Sequence, residues 1–280
     1  MKLVIEKTPV KRVKQIAIAV SRFFKVRHLY SREYKRRNWS LLAISAHHGD
    51  LGLLHFIVDK IKLKNFKQTE RNNALFLAAS EGHLDIYDFL TRKLRDKNPG
   101  KTSLLNREGR TPLHWAANNG HFGLCKLIIE GTGNKNPGTI KNIPKYRRKY
   151  PEAAEGSTPL HLAAHNGHLE VCKLIMDNIK DKDPANIEGE TPFHFAAKEG
   201  QLAVCQLILE NVSDKNPRGW WGITPLHYAA QYGHVELCKV IMENLVDKNP
   251  RCSDDTTPLS LAMDHKKPEV CQLFHENGIH

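Results

Sequence analysis

Histidine and cysteine are the residues of this chain whose numbers suggest chemistry. Sixteen His and six Cys occur among 280 residues, enough for a metal centre or a catalytic dyad. Structural zinc sites use ligand pairs such as Cys-x-x-Cys, and the sequence contains no such pair. It also contains no Gly-rich phosphate loop, no Gly-x-Ser-x-Gly and no His-Glu-x-x-His. We therefore expect no catalytic residue, no metal and no cofactor, and hence no enzyme.

The His and Cys residues instead recur at a fixed period. Five Thr-Pro pairs are separated by 47, 33, 33 and 33 residues, and they begin at Thr111, Thr158, Thr191, Thr224 and Thr257. The His that follow three residues after a Thr are His114, His161, His194 and His227. The Cys that share one later position are Cys125, Cys172, Cys205, Cys238 and Cys271, whereas Cys252 lies in a loop. Such a period is typical of a repeat protein, and it favours a structural role for these side chains.

Each repeat predicts two helices and a loop. Thr is a good N-cap, and Pro suits the first helical position because its missing N–H would have no partner there. Gly nine residues after the Thr, such as Gly200, suits the left-handed position that ends a helix. Leu169, Cys172 and Ile175 then recur at helical spacing and predict a second, amphipathic helix. Polar tracts such as Asp214-Lys215-Asn216-Pro217 predict the loop.

The sequence at this point closely resembles the ankyrin-repeat family, whose hallmark is Thr-Pro-Leu-His-x-Ala-Ala-x-x-Gly-His. Residues 158–168 read Thr-Pro-Leu-His-Leu-Ala-Ala-His-Asn-Gly-His, and residues 111–121 and 224–234 match almost as well. The resemblance covers about residues 38–280. It implies an all-α repeat solenoid of about seven ankyrin repeats, each a helix-turn-helix with an extended loop or hairpin.

Three repeats depart from the hallmark. Ser40 and Asn73 take the Thr place in the first two repeats, and Lys266 takes the Gly place in the last. The His is replaced in these three repeats by Ala43, Phe76 and Ser260. We predict an ankyrin-repeat domain over 38–280 with two enlarged loops, at 95–110 and 131–157, since insertions in repeat arrays fall on loops.

The family resemblance gives the recurring His and Cys structural roles. In the family, the His of the Thr-Pro-x-His motif hydrogen-bonds around the helix start and connects neighbouring repeats. The five in-register Cys lie on the apolar face of the second helix, and adjacent helices pack about 8–10 Å apart. That separation exceeds the roughly 4.4–6.8 Å between Cα atoms that a disulfide needs. We expect reduced core thiols in an intracellular protein.

Positive charge is concentrated in two segments. Residues 1–40 hold twelve Lys and Arg against two acidic residues, a net charge of +10 within a total of +12. Residues 131–151 hold six Lys and Arg and no acidic residue. The rest of the chain has 24 basic and 28 acidic residues, a net charge of −4. Any attraction to an anionic partner is therefore expected only at residues 1–37 and 135–149.

Residues 1–37 are predicted to form a basic amphipathic helical extension, because apolar residues recur there at helical spacing among Lys and Arg. Three roles remain open. The apolar stripe could cap the first repeat, which we favour. The helix could bind an anionic membrane, calmodulin or another acidic partner, or it could be a mitochondrial presequence.

We expect a cytoplasmic location, because the sequence shows no long apolar run and no signal peptide. The basic clusters at 34–37 and 146–149 leave nuclear import open.

The resemblance also implies a partner-binding surface. In the family, partners usually contact the loop tips just before the Thr and the two residues before the Gly. In this chain those places are Arg107, Glu108, Arg110, Asn118 and Asn119; Ala154, Glu155, Ser157, His165 and Asn166; Ile187, Glu188, Glu190, Lys198 and Glu199; and Trp220, Trp221, Ile223, Gln231 and Tyr232.

The fourth of these sets has the composition of a binding hot spot, because Trp220, Trp221 and Tyr232 are aromatic residues at positions expected to be exposed. The alternative is that one Trp packs flat on the adjacent loop and rigidifies it.

Taken together, these features predict a monomeric, non-enzymatic interaction module or adaptor that binds another protein through its loop tips and first helices. The alternative is an adaptor attached to nucleic acid or an anionic membrane through the basic N-terminal helix and the basic segment at 135–149. Salt dependence separates the two, because phosphate-driven binding weakens steeply with ionic strength.

Overall fold

The computed structural model describes residues 40–61, 66–94, 105–106, 109–131, 135–136, 138 and 156–280. These residues form fourteen α-helices, in seven consecutive pairs, and no β-strand. The chain divides into two compact units, residues 1–106 and 107–280. The predicted extension at 1–37, most of the basic segment at 135–149, most of both enlarged loops and Arg107 lie outside the described residues.

The first unit contains two helix pairs, α1 Leu41–His48 with α2 Leu51–Ile61 and α3 Gln68–Glu81 with α4 Leu84–Leu94. Ser40 caps α1 as expected, with its side chain accepting a hydrogen bond from the Ala43 amide at 3.3 Å.

Helix α3 differs from the expectation. Asn73 was expected to cap this helix, but the helix begins five residues earlier, at Gln68. The reason is local, because the Glu70 carboxylate accepts a hydrogen bond from the Lys67 amide at 2.8 Å and stabilises an earlier start.

The second unit contains five helix pairs and one short 3₁₀ turn. The pairs are α5 Pro112–Asn118 and α6 Phe122–Gly131; α7 Pro159–His165 and α8 Leu169–Asp177; α9 Pro192–Lys198 and α10 Leu202–Asn211; α11 Pro225–Tyr232 and α12 Val235–Glu243; and α13 Pro258–Asp264 and α14 Pro268–Glu276. The 3₁₀ turn, Trp220–Gly222, precedes α11. As the Thr-Pro motifs predict, Thr is the N-cap and Pro begins the first helix in all five pairs.

The core of the second unit is formed between successive pairs. First helices pack on first helices and second helices on second helices, so that α9 contacts both α7 and α11. Small side chains lie at the first-helix contacts, where Ala197 and Ala230 are fully buried. Cys205 and Ile208 are likewise fully buried on α10. Because each short helix buries its apolar face only against its neighbours, the all-α repeat solenoid predicted from the sequence is confirmed.

Two features of the structure favour Gly at the position after a first helix. Gly200 has a left-handed backbone with φ +69°, which residues with a Cβ rarely adopt. The His234 ring of the next repeat also lies so close that a Cβ on Gly200 would be 2.6 Å from its Nδ1. In the last repeat Lys266 keeps the left-handed backbone, with φ 54°.

None of the described helices is long and apolar enough to cross a lipid bilayer.

Gly200→Ala is expected to lower the free energy of unfolding by about 2 kcal/mol or more, because Ala disfavours the left-handed backbone and its methyl group would displace His234. The control is Gly131→Ala, since Gly131 ends α6 with no atom of the described residues within 4 Å of its missing Cβ. That change should be neutral or stabilising by up to about 1 kcal/mol. Urea denaturation measures both, and equal effects would contradict the packing described for Gly200.

One side chain in the polar tracts departs from its equivalents in neighbouring repeats. Asn136 and Asn249 accept a hydrogen bond from the amides of Leu160 and Leu259, each at 3.1 Å. Asp183 makes the same bond to the Phe193 amide at 3.1 Å, and its burial raises the pKa of the carboxyl group from 3.8 to about 7. The fold therefore favours a neutral acceptor at this place.

Asp183→Asn should stabilise the protein above pH 7. An Asp whose folded pKa is raised stabilises the fold fully only below its unfolded pKa of 3.8, and that stability is lost as the pH rises from about 4 to about 7. Asn keeps the acceptor and has no charge to bury. Thermal melts at pH 8 and pH 4 should show a gain only at pH 8, whereas the exposed-site control Asp177→Asn should show none at either.

Candidate functional site

A buried imidazole connects each of four repeats to the next. The His194 Nδ1 atom lies 3.1 Å from both the amide nitrogen and the hydroxyl of Thr191, and its Nε2 atom lies 3.0 Å from the carbonyl oxygen of Ile223 in the next repeat. Since Nδ1 accepts from an amide, Nε2 must carry the proton and donate it to the carbonyl. The other three links are His114 to Ser157 at 3.2 Å, His161 to Glu190 at 3.0 Å and His227 to Thr256 at 3.2 Å.

These links confirm the structural role that the family resemblance implies for the four His. Burial lowers the pKa of His161, His194 and His227 to about 4 and that of His114 to about 3. All four rings are therefore neutral at pH 7, as the shared hydrogen-bond pattern requires.

The carbonyl groups that these rings hold belong to loop tips of one geometry. We call residues 186–190 the Glu tip, 219–223 the Trp tip and 252–256 the Asp tip. In each tip the amide of the first residue donates to the carbonyl of the fifth, at 2.9, 2.8 and 3.0 Å respectively. The fourth residue has a left-handed backbone, with φ 73° at Gly189, 74° at Gly222 and 64° at Asp255.

The three tips lie side by side. A Cβ placed on Gly219 would be 3.3 Å from the Glu190 side chain, and one on Gly222 would be 3.5 Å from the Cα of Cys252. The Ser253 amide also donates to the Trp221 carbonyl at 2.7 Å. The two Gly residues of the Trp tip thus allow both neighbouring tips to approach it closely.

The Trp tip presents two indole rings to solvent. Trp220 is 57% exposed and Trp221 is 64% exposed. The rings stack on each other with centroids 6.4 Å apart and planes 10° from parallel. More than half of each residue therefore stays accessible, as the hot-spot prediction requires. A Trp packed flat on the adjacent loop would also keep one ring face accessible, so that alternative stands beside it.

Tyr232 lies on the helix that follows the Trp tip and is 44% exposed. Tyr228, one helical turn earlier, donates its hydroxyl hydrogen bond to the Glu190 carboxylate in the Glu tip. Residues four apart share a helix face, so Tyr232 belongs to the face of α11 that is turned toward the tips.

The residues before each Gly contact one another from repeat to repeat. Asn166 donates to the Asn118 side chain at 3.3 Å, and the Nδ1 atom of His165 lies 3.7 Å from the Glu199 carboxylate. Two further contacts join first helices of neighbouring repeats. The Lys198 Nζ atom lies 5.9 Å from the Tyr228 ring centre, and the Gln231 Nε2 atom lies 3.2 Å from the His265 Nε2 atom. Asn119, Asn166, Lys198 and Glu199 are exposed, whereas Asn118, His165 and Gln231 are half-buried.

Two of the expected tip residues are not exposed. Arg110 is only 5% exposed, because its guanidinium lies over the Trp115 ring at 5.5 Å from the ring centre. Ser157 is fully buried, and its carbonyl accepts the hydrogen bond of His114. Ile223 is half-buried at the base of the Trp tip, where its carbonyl accepts from His194. Arg110 and Ser157 therefore belong to the framework of the repeats.

Sequence reasoning missed Tyr228 and His265 as members of this surface. Tyr228 occupies the variable place between His and Ala of the motif, which Trp115, Leu162 and Phe195 fill in other repeats. Large side chains recurring at that place are the signal that could have identified it.

The described residues contain no group of three or more His, Cys, Asp or Glu arranged to hold a metal ion. The in-register thiols of Cys125, Cys172 and Cys238 are buried, which raises their pKa to about 12. A protonated, buried thiol is a poor nucleophile, so these Cys act as core side chains.

Paired helices stacked through recurring His links define a helical repeat protein with an array of loop tips. Ankyrin-repeat models match residues 41–139, 134–219 and 211–280, and the chain therefore belongs to the ankyrin-repeat family. It is also similar to an ankyrin repeat protein of Rickettsia bellii (strain RML369-C), with 28% identity over 114 residues. That match spans 40% of this chain and 16% of the relative. Ankyrin repeats are in general protein–protein interaction modules.

The four linking His predict that stability falls in acid. A His whose folded pKa is lowered stabilises the fold fully above its unfolded pKa of 6.5, and that stability is lost as the pH falls from about 6.5 to about 4. Each such His contributes up to about 1.4 kcal/mol per pH unit. Asp183 acts in the opposite direction, but one group opposes four. Urea denaturation at several pH values between 7 and 4 measures the slope.

The variant His194→Ser separates the contribution of a linking His to the pH dependence of stability from the contributions of other titrating groups. Ser260 fills the same place in the last repeat, where its hydroxyl accepts from the Thr257 amide at 2.9 Å. The variant should be less stable at pH 7 because the Ile223 carbonyl loses one of its two donors and keeps only the Gly219 amide, yet its stability should depend less steeply on pH. An unchanged slope would show that His194 does not titrate as described.

Proposed function

We propose that this chain is a non-enzymatic adaptor that binds a partner protein through the Glu, Trp and Asp tips together with the exposed face of the first helices α9 and α11. The observation that carries this proposal is the stacked, exposed pair Trp220 and Trp221 in the Trp tip. Large aromatic rings that remain accessible at a rigid tip are typical of binding hot spots.

The surface is preorganised, which favours binding. Each tip carbonyl is bonded to a buried His, and neighbouring tips contact each other through Gly219, Gly222 and Ser253. A partner would therefore lose little free energy in ordering the backbone that it contacts. Ile187 of the Glu tip is also exposed and adds an apolar side chain to the tip next to the Trp tip.

The test replaces Trp221 and Tyr232 by Ala together in the full chain. Neither side chain is in the core, so the thermal melt should be unchanged, whereas partner capture should weaken by about thirtyfold or more because one lost anchor commonly costs about 2 kcal/mol. Capture is measured by pull-down from cell lysate with quantitative mass spectrometry against the parent chain.

The matched control is Phe122→Ala with Val246→Ala. Both residues are exposed apolar side chains that belong to none of the three tips, and they lie at the start of α6 and after α12. The control should capture the same proteins as the parent. A double mutant that captures as well as this control, with an intact fold, would place the interaction surface elsewhere, and a lowered melting temperature would show that the rings are internal packing.

A further inference from the structure

The exposed Trp pair lies between two tips that carry carboxylates. Gly189 of the Glu tip is in contact range of Gly219, and the Asp tip is bonded to Trp221 through Ser253. The carboxylates of these tips are Glu188, Glu190, Asp254 and Asp255, and the three tips contain no Lys or Arg. An aromatic surface flanked on both sides by negative charge is suited to a cation.

Two basic residues that the structure describes lie beside these tips. Arg218 donates to the Arg251 carbonyl at 2.9 Å, and Arg251 lies 3.6 Å from the Asp255 carboxylate. The fifteen residues of the three tips themselves carry a formal charge of −4. Asp254 stays ionised, because hydrogen bonds from Cys252 and Thr256 lower the pKa of its carboxyl group to about 2. The Lys198 ammonium lies over the Tyr228 ring, 5.9 Å from its centre.

The backbone holds the rings outward at a conformational cost. Trp221 has φ 59° and ψ 14°, a left-handed conformation that is uncommon for bulky residues. The Trp221 carbonyl accepts a hydrogen bond from the Ser253 amide of the Asp tip. This bond couples the Trp221 backbone to the tip that carries Asp254 and Asp255.

We propose that the Glu, Trp and Asp tips together bind an extended, arginine-rich segment of a partner protein. This deepens the proposed function and rests on it. A planar guanidinium stacks on an indole and also bonds a carboxylate through two donors, whereas a Lys ammonium does so less well. Three tips on helices packed about 8–10 Å apart span roughly 20 Å, which matches about six or seven residues of extended chain.

The test measures binding of fluorescein-labelled peptides of about ten residues to the full chain by fluorescence anisotropy. The probes alternate Ser with Arg, Lys, Gln or Glu, and a fifth alternates Ser with Leu. The Arg peptide should bind tightest, the Lys peptide several-fold more weakly, and the Gln, Glu and Leu peptides at least tenfold more weakly. Equal binding of the Leu and Arg peptides would overturn the proposal, because the surface would then be only apolar.

Two sets of variants locate the binding. Glu188→Gln with Asp254→Asn and Asp255→Asn removes three tip charges while keeping the hydrogen-bond acceptors, and Trp220→Ala with Trp221→Asn removes the rings while keeping a residue that tolerates φ above zero. Each set should weaken binding of the Arg peptide tenfold or more. The charge control is Glu210→Gln with Glu243→Gln, on the exposed surfaces of α10 and α12, and it should bind as the parent does.

Loss of binding in the control as large as in the tip variants would indicate nonspecific attraction and overturn the proposal. Failure of the arginine-rich-segment proposal can be distinguished from failure of the proposed adaptor function. If Trp221→Ala with Tyr232→Ala still abolishes partner capture while no peptide charge is preferred, the surface binds protein but not an arginine-rich segment.

Discussion

A hydrogen-bonded, neutral imidazole in each of four repeats is the interaction on which the tip surface depends. The His194 ring accepts from Thr191 at the start of its own helix and donates to Ile223 in the next repeat, so one side chain sets both a helix N-terminus and a neighbouring tip. This requires an uncharged ring, and burial provides it by lowering the pKa. A protonated ring could not accept from Thr191 and would lose the helix-start bond.

A second row of contacts fixes the opposite end of the same helices. The His234 ring packs on Gly200 and its Nε2 atom lies 3.1 Å from the Lys198 carbonyl, and Gln201 bonds the His165 carbonyl in the same way at 3.1 Å. The first helices α5, α7 and α9 are thus each held to the next first helix at both ends, which leaves their exposed residues in defined positions. Rigid spacing of side chains lowers the entropic cost of binding.

The tips differ in chemistry although they share one backbone framework. The Glu, Trp and Asp tips share a backbone turn, a left-handed fourth residue and a bonded fifth carbonyl, yet they present different side chains. The framework therefore explains why the chain is folded as a repeat array, and the tip residues explain what distinguishes this array as a binding surface. The aromatic pair and its acidic neighbours are the part of that surface with the most specific chemistry.

The sequence by itself determined the class of fold, the helix pairs and the places of the linking His. Those features depend on local signals such as Thr-Pro, Gly and the 33-residue spacing, which act within one repeat. Even a local signal failed at α3, where Glu70 favours an earlier start than Asn73. Only the tertiary structure decided which tip residues face solvent, because their burial depends on side chains brought near by folding. It therefore buries Arg110 against Trp115 and leaves Trp221 exposed beside the carboxylates of two other repeats.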